Sequence, residues 1–314
     1  MNLNKWLRFD FRDISWLVVL LRLLADRYNL ICCDRERQIS CHYDFLLTSA
    51  IKAVVENLAY SGVDGAVYWE GKSLEQCDHY HTFLQRDVAE RLHDQAAQED
   101  FKVHLRGLAT TGFAQTSLDA LLVAETPEER DWAVAEALAE AWLNQKHGVI
   151  WPWNTERDKR TPKASLPGAD LIGFIELGNE TRLVLGEVKA SSDVSTPPNV
   201  MNGRGGMAQQ LETLAADLSI LSQLLRYLQP RCKNSPHEDQ FNAAVALLLT
   251  SGNKAIALFG VLIRDTEPAE NDLKSRAQHL ANQISSPSTC HLQALYLPHS
   301  IADLPHLISS GAPS

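Results

Sequence analysis

The chain has 314 residues, of which 45% are hydrophobic and 22% charged, a balance typical of a protein that buries a substantial core. Its net charge is −10 at pH 7, which excludes nucleic-acid binding by bulk electrostatic attraction alone. Six cysteines without a CxxC pair argue against a disulfide framework and predict reduced thiols in the cytoplasm.

Residues 1–118 predict a smaller, mostly helical α+β domain that docks to a partner or regulates activity. The apolar run over 14–24 is interrupted by Arg22 and is about half as long as a membrane span, so it predicts a buried helix and no membrane contact. Further predicted elements are a helix over 45–58, a short strand over 66–69 and helix over 74–106. Four histidines in this part lack carboxylate or cysteine neighbours at metal-ligand spacing and are interpreted as surface or packing residues: His79, His81, His93 and His104.

Residues 119–314 predict a second domain, which opens with a well-marked helix. Thr126 is its predicted N-cap, Pro127 occupies the first helical position, and Glu129 completes a capping box. The helix is alanine-rich and is predicted to end near Gly148. The elements after it are predicted as a strand over 149–153, strands over 170–177 and 182–189, a loop over 191–206, a helix over 207–228, strands over 243–250 and 255–263, a helix near 269–285, and a strand over 290–297.

The principal order of these elements, α-β-β-α-β-β-α-β, predicts an α/β fold with a mixed sheet flanked by helices. Its most informative part is the stretch PGADLIGFIELGNETRLVLGEVK, residues 167–189. Gly178-Asn179 is typical of a two-residue hairpin turn with glycine at the first central position. That turn pairs residues whose numbers sum to 357, so Asp170 is predicted to lie opposite Glu187. Lys189, two residues further, is predicted to lie on the same face of the strand.

Two carboxylates so close together repel each other unless a proton or a cation lies between them. Carboxylate oxygens suit Mg²⁺ or Mn²⁺, which activate water and offset charge on a phosphate. The ammonium of Lys189 is suited to orienting the attacking water or to stabilising the transition state. The pattern therefore favours metal-dependent hydrolysis of a phosphodiester, with Asp170 and Glu187 as metal ligands and with all three residues catalytic.

Asp170, sixteen further residues and then Glu187-Val188-Lys189 resemble the motif of the PD-(D/E)xK nuclease superfamily, which has the restriction-endonuclease-like fold. The resemblance covers roughly residues 125–297 and departs from the family pattern in that Gly168-Ala169 separates Pro167 from Asp170. It implies that a glutamate of the first helix completes the metal site. Glu136 and Glu140, one turn apart, are the two candidates, and Glu136 is favoured as a third metal ligand and catalytic residue. The alternative is that both glutamates are solvent-facing helix formers.

A local excess of positive charge precedes this stretch and predicts a surface that binds substrate phosphates, with a solvated loop as the alternative. Its members are Arg157, Lys159, Arg160 and Lys163. Arg204, in the glycine-rich loop over 191–206, is a further candidate phosphate contact if that loop closes over substrate rather than serving as a connector. Gln209 and Gln210 are candidates for contact with the site or with backbone phosphates. Three tryptophans are interpreted either as base-stacking or as core residues: Trp142, Trp151 and Trp153.

A second arrangement of the same kind, Asp64…Glu70-Gly71-Lys72, has only five residues between its acids and is interpreted as chance. Because the chain is acidic, the resemblance is interpreted as a nuclease subunit that receives nucleic acid, DNA in preference to RNA, from a partner helicase or ATPase. That organisation resembles bacterial antiphage defence systems such as Hachiman. One alternative is a stand-alone restriction or repair endonuclease, and the other is a scaffold subunit whose nuclease-like fold no longer cuts.

Overall fold

The computed structural model describes residues 54–123, 131–158 and 168–309, with the backbone alone for 131 and 132. The predicted helix start at Thr126, Pro127 and Glu129 therefore lies outside the described residues. The described residues form six strands: β1 (Glu56–Asp64), β2 (Val67–Leu74), β3 (Leu171–Leu177), β4 (Glu180–Ser191), β5 (Ile256–Arg264) and β6 (Thr289–Tyr296). The described helices, apart from short 3₁₀ segments and a π-helical turn (Phe83–Val88), are α1 (Asp78–Thr82), α2 (Ala89–His93), α3 (Gln95–Leu108), α4 (Gly112–Val123), α5 (Asp131–His147), α6 (Met207–Ala216), α7 (Leu218–Cys232), α8 (Glu238–Thr250), α9 (Lys274–Ala281) and α10 (Leu304–Ser309).

All six strands belong to one mixed sheet with the order β1-β2-β6-β5-β4-β3. The four central strands β2, β6, β5 and β4 run parallel, and an antiparallel hairpin closes each end. Every residue of β5 is buried, as expected for a parallel strand with both faces covered. The fold is therefore α/β, with a six-stranded mixed sheet flanked by helices.

Helices cover both faces of the sheet, and each face has its own hydrophobic cluster. One cluster joins alternate residues of β4 and β5 to α1, α2, α5 and α10. The other joins the intervening residues of the same strands to α6, α7, α8 and α9. Along β4, Val184 and Val188 belong to the first cluster and Leu183 and Leu185 to the second. This alternation assigns Glu187 and Lys189 to the face of α6–α9.

Several predicted elements differ from the structure. The apolar run over 243–250 is not a strand but the second half of α8, where Ala244 and Leu248 are buried four residues apart while Leu249 is exposed. A continuous apolar run does not distinguish a strand from a helix that buries one stripe. Residues 149–153 form only an isolated bridge, Ile150 to Phe174.

Two further boundaries are different. The helix predicted over 207–228 is two helices, because Asp217 leaves the helical conformation and caps α7 by accepting hydrogen bonds from the amides of Ser219 and Ile220. Residues 56–58, predicted as the end of a helix, begin β1. From α5 to β6 the order is α-β-β-α-α-α-β-α-β, so the predicted β-β pair after the second helix was wrong.

One sheet contains strands from both sides of the predicted domain boundary after residue 118. Strands β1 and β2 precede residue 118, yet β2 pairs in parallel with β6 from the end of the chain. All described residues belong to one compact unit, Lys52–Ser314. No helix of the described residues is both long and apolar enough to cross a membrane.

Gly186 tests how closely β3, β4 and β5 are packed. A methyl group at Gly186 would collide with the carbonyl oxygen of Phe259 and lie 2.9 Å from Cδ1 of Leu171. We therefore expect Gly186→Ala to lower the free energy of unfolding by about 1–3 kcal/mol, measured by urea denaturation. Gly107 in α3 meets no described atom within 4 Å of such a methyl, so Gly107→Ala should be neutral or slightly stabilising. Equal losses in the two variants would contradict this packing.

Candidate functional site

The β3–β4 hairpin has the register that its turn predicts. Leu177 pairs with Glu180 and Leu171 with Gly186, so paired numbers sum to 357 throughout. Gly178 has a φ of 63°, as the first central residue of a type II′ turn requires. The pairing places Asp170, the residue before β3, beside Glu187 on β4.

Asp170 caps an edge that β3 leaves open. β3 begins opposite Gly186, whereas β4 continues to Ser191, so the last five residues of β4 pair with β5 alone. The amide of Val188 donates a hydrogen bond of 2.9 Å to Oδ2 of Asp170. A carboxylate therefore accepts the bond that a carbonyl of β3 would otherwise have taken, and this fixes Asp170 at the end of the sheet.

The carboxyl groups of Asp170 and Glu187 perturb each other. Burial raises the pKa of Glu187 to about 7, and the charge of Asp170 and a hydrogen bond to it act in the same direction. Burial also raises the pKa of Asp170, although the Val188 amide, the Lys189 ammonium and the hydrogen bond with Glu187 act against that shift. Glu187 is only 4% exposed. The pair is the arrangement in which two acids share a proton or a cation.

Lys189 completes the trio predicted from the sequence. Its ammonium donates a 2.5 Å hydrogen bond to Oε1 of Glu187 and remains partly exposed. A positive charge beside two acids lowers the cost of their burial without neutralising both of them. The structure therefore brings Asp170, Glu187 and Lys189 together at the open edge of β4.

A cavity of about 400 Å³ adjoins this edge, and both Lys189 and Glu136 line it. Glu136 lies on α5, one helical turn before Glu140, and is partly exposed. Glu140 is almost fully buried, and its Oε2 accepts a 2.5 Å hydrogen bond from Nε of Arg91. Of the two candidate glutamates, Glu136 is thus the one that lines this cavity, whereas Glu140 ties α5 to α2. The cavity lies on the α5 face of the sheet, opposite the face to which the alternation along β4 assigns the side chains of Glu187 and Lys189.

Among residues 54–123, 131–158 and 168–309, no group of three or more His, Cys, Asp or Glu side chains is placed to hold a metal ion. The predicted set of Asp170, Glu187 and Glu136 is therefore not assembled as a three-carboxylate site in this structure. The pair of carboxyl groups still fits a hard divalent cation. Mg²⁺ is often bound through one or two carboxylates and completes its octahedron with water and substrate phosphate.

The predicted phosphate contacts lie apart from this trio or outside the described residues. Lys159, Arg160 and Lys163 are outside them. Arg157 donates two hydrogen bonds to the carboxylate of Asp94, at 2.5 and 3.0 Å, and lies over the ring of Trp153. Arg204 is exposed. Gln209 is exposed and lines a different cavity, together with Glu212 and Asp217.

The segment after β4 is anchored over its first half. Arg264, fully buried at the end of β5, donates hydrogen bonds to the carbonyl groups of Ser191 and Ser195. Asp193 accepts bonds from the amides of Ser195 and Asn199. Because these bonds hold the residues next to Lys189, the segment differs from the flexible loop that its composition predicted.

The tryptophans and the second D…ExK arrangement also have defined places. Trp142 is fully buried and its indole N–H donates to Oε1 of Gln293, which confirms the core interpretation for this residue. Asp64 lies at the β1–β2 turn and accepts a bond from the indole N–H of Trp69, whereas Glu70 pairs with Ser61. Asp64 and Glu70 thus form no carboxylate pair, in agreement with the interpretation as chance.

Glu70 nevertheless lines a cavity that the sequence analysis missed, together with His147, His291 and Gln293. The only signal was alternation of polar residues in two strands, and their pairing could not be predicted from spacing.

Compared with known proteins, the chain matches no family model, no curated protein and no solved structure.

The raised pKa of Glu187 predicts how stability depends on pH in metal-free buffer. Between pH 4.5 and about 7 the folded chain keeps a proton that unfolded Glu187 has released, so the free energy of unfolding falls as pH rises through this window. The loss from this group is at most about 3 kcal/mol at pH 8. Glu187→Gln should flatten the pH profile measured by urea denaturation, and the exposed Glu176→Gln should keep the wild-type profile. Parallel profiles for wild type and Glu187→Gln would contradict the raised pKa.

Proposed function

We propose that the protein is a metal-dependent nuclease that hydrolyses phosphodiester bonds, of DNA in preference to RNA, at the site of Asp170, Glu187 and Lys189. The observation that carries the proposal is the convergence of a buried carboxyl group (Glu187), a partly buried one (Asp170) and an ammonium at an open strand edge. The same residues supply the resemblance to the PD-(D/E)xK superfamily, and the α/β sheet is compatible with its restriction-endonuclease-like fold.

Asp170 and Glu187 would hold Mg²⁺ or Mn²⁺, which supplies an activated water and offsets charge on the scissile phosphate. The Val188 amide holds one carboxylate oxygen of Asp170 in place. Burial keeps water from screening the two acids, which increases their attraction for a cation. Glu136 adds a carboxylate to the adjoining cavity.

Lys189 is the residue suited to the phosphate. In the absence of substrate its ammonium lies on Glu187. With a divalent cation held by Asp170 and Glu187, Lys189 would be available to donate to a phosphate oxygen, whose negative charge increases in the transition state. Because the Lys189 side chain is 23% exposed, a phosphate can reach it without displacing the sheet.

Delivery of substrate by a partner helicase or ATPase is part of the proposal. The net charge is −10, and Arg157, the one member of the basic patch that is described, is paired with Asp94. The cysteines of the described residues, Cys77, Cys232 and Cys290, are free, which supports a reducing compartment such as the cytoplasm. A nuclease effector of a bacterial antiphage defence system fits these features.

A scaffold subunit without activity is the second candidate. The observation in its favour is that Lys189 already compensates Glu187 and that only two acids of the described residues converge. A non-catalytic descendant of a nuclease would be stable in this form without any metal.

The nuclease proposal is tested with the purified full-length chain on linear, circular and single-stranded DNA and on RNA, with Mg²⁺ or Mn²⁺. Assays with and without candidate helicase partners test the need for delivery. We expect Asp170→Ala, Glu187→Ala and Lys189→Ala each to lower the cleavage rate by about 10²-fold or more, because each removes a charge that the reaction uses. Glu136→Gln should lower it by less. Glu176→Gln is the matched control and should cleave like wild type. Cleavage that survives all three alanine substitutions would overturn the assignment of the site.

Metal binding separates the two candidate functions. At pH 8 a catalytic site should bind Mn²⁺ and raise the melting temperature, because the ion binds the folded chain alone. Asp170→Asn, which keeps the size of the side chain, should abolish that shift. A scaffold should melt at the same temperature with and without Mn²⁺.

A further inference from the structure

A second cavity, of about 310 Å³, lies over the sheet at β1, β2 and β6, beside the C-terminal end of α5. It is near the opposite edge of the sheet from Asp170, since β1 and β3 are the two edge strands. The polar and aromatic residues that line it include Ser61, Tyr68, Glu70, His147, His291 and Gln293. Its volume is at the lower end of the range for small-ligand sites.

Gln293 is the centre of this cavity and is 1% exposed. Its Oε1 accepts a 2.8 Å bond from the indole N–H of Trp142, a group that can only donate. The amide nitrogen is thereby turned to the other side, where it donates to Oε1 of Glu70 at 3.0 Å and to Nε2 of His147. Since Nε2 accepts this bond, the neutral ring of His147 carries its proton on Nδ1.

Both histidines are neutral at pH 7. Burial lowers the pKa of His147, and burial together with the neighbouring His147 lowers the pKa of His291 to about 4. The carboxyl group of Glu70 pairs with Lys72, whose ammonium nitrogen lies 3.2 Å from Oε1. The cavity therefore contains one carboxylate and two uncharged imidazole rings.

These groups have hydrogen-bonding capacity that the described residues do not use. Within residues 54–123, 131–158 and 168–309, neither Oε2 of Glu70 nor Nδ1 of His147 has a hydrogen-bond partner, and the ring nitrogens of His291 also have none. Because these groups are partly exposed, they can bond either to water or to a ligand that replaces the water. A cavity that concentrates unused donors and acceptors is suited to a polar ligand.

An aromatic row borders the same cavity. Tyr68, His291 and Phe259 are neighbours in register on β2, β6 and β5, and each adjacent pair of rings is stacked with centroids 5.1 Å apart. Tyr68 is 47% exposed, so a flat π surface is available next to the polar groups. Aromatic surfaces beside hydrogen-bonding groups are the usual means by which proteins hold unpaired bases.

We propose that this cavity binds a nucleobase through the amino–imine edge that adenine and cytosine share. Oε2 of Glu70 accepts from the exocyclic amine, and Nδ1–H of His147 donates to the adjacent ring nitrogen. The carboxyl group of Glu70 and the ring of His147 are neighbours because Oε1 of the one and Nε2 of the other are bonded to the same amide nitrogen of Gln293. Uracil and guanine present a carbonyl oxygen and a ring N–H at the corresponding positions, which would oppose the carboxylate and the donor.

The ligand chemistry is common to a free nucleoside or nucleotide and to an unpaired base of a single strand. Isothermal titration of the full-length chain with adenosine, cytidine, guanosine and uridine tests the first source, and titration with short homopolymeric single strands tests the second. For at least one source we expect adenine and cytosine to bind about tenfold or more tighter than guanine and uracil or thymine. The source that shows this preference identifies the ligand. Absence of binding from both sources, or equal binding of all bases, would overturn the proposal.

Variants assign the binding to these residues. Glu70→Gln should remove the preference for adenine and cytosine. His291→Phe, which keeps the aromatic row, should weaken binding less than Glu70→Gln does. Because Glu70 also holds Lys72, its variant is compared with wild type by thermal unfolding. Tyr68→Ala, at a half-exposed position, provides an independent loss of binding if Glu70→Gln unfolds.

Two controls separate this cavity from the proposed nuclease site. Glu176→Gln, an exposed glutamate on the far edge strand, should bind like wild type. Asp170→Ala should also leave nucleobase binding unchanged, whether or not the chain cleaves DNA. Loss of binding in Asp170→Ala would move the ligand to the other site and overturn the assignment.

Discussion

The hydrogen bond from the Val188 amide to Asp170 is the interaction on which the candidate site depends. β4 is longer than its hairpin partner, so its final residues present an edge amide that some acceptor must satisfy. A carboxylate in that position closes the edge and at the same time brings a second acid to Glu187. The carboxylate of Asp170 therefore completes the strand end and also creates the repulsion with Glu187.

The repulsion between Asp170 and Glu187 affects the residues around them. Two carboxyl groups side by side repel each other when both are charged. The pKa of Glu187 is accordingly raised, and the ammonium of Lys189 lies on the same face of the strand. The fully buried Arg264 holds the carbonyl groups of Ser191 and Ser195, which limits the movement of the backbone directly after Lys189. One ammonium faces two carboxyl groups in this site, so a divalent cation would be stabilising there.

The two D…ExK arrangements of this chain show why residue letters alone do not define a site. In the first, Asp64 is part of a tight turn and pairs with Val67, so Glu70 lies three residues further along the hairpin, opposite Ser61. In the second, seven paired positions separate the turn from the strand ends, and Asp170 reaches Glu187. Glu70 and Lys72 instead meet Gln293 and Glu56, and the resulting cavity has a different chemistry.

The sequence by itself determined what depends on neighbours along the chain. A two-residue turn and the period of two in a strand suffice to predict the β3–β4 register and the meeting of Asp170, Glu187 and Lys189. Only the tertiary structure decided what depends on distant partners. Glu140 is buried against Arg91, 49 residues away, while Glu136 lines a cavity. Arg157 donates hydrogen bonds to Asp94. The run over 243–250 is a helix because one stripe of it packs on the sheet. Apolar runs and isolated charges have the same local pattern in either case, and the free energy that distinguishes them comes from packing between elements far apart in the chain.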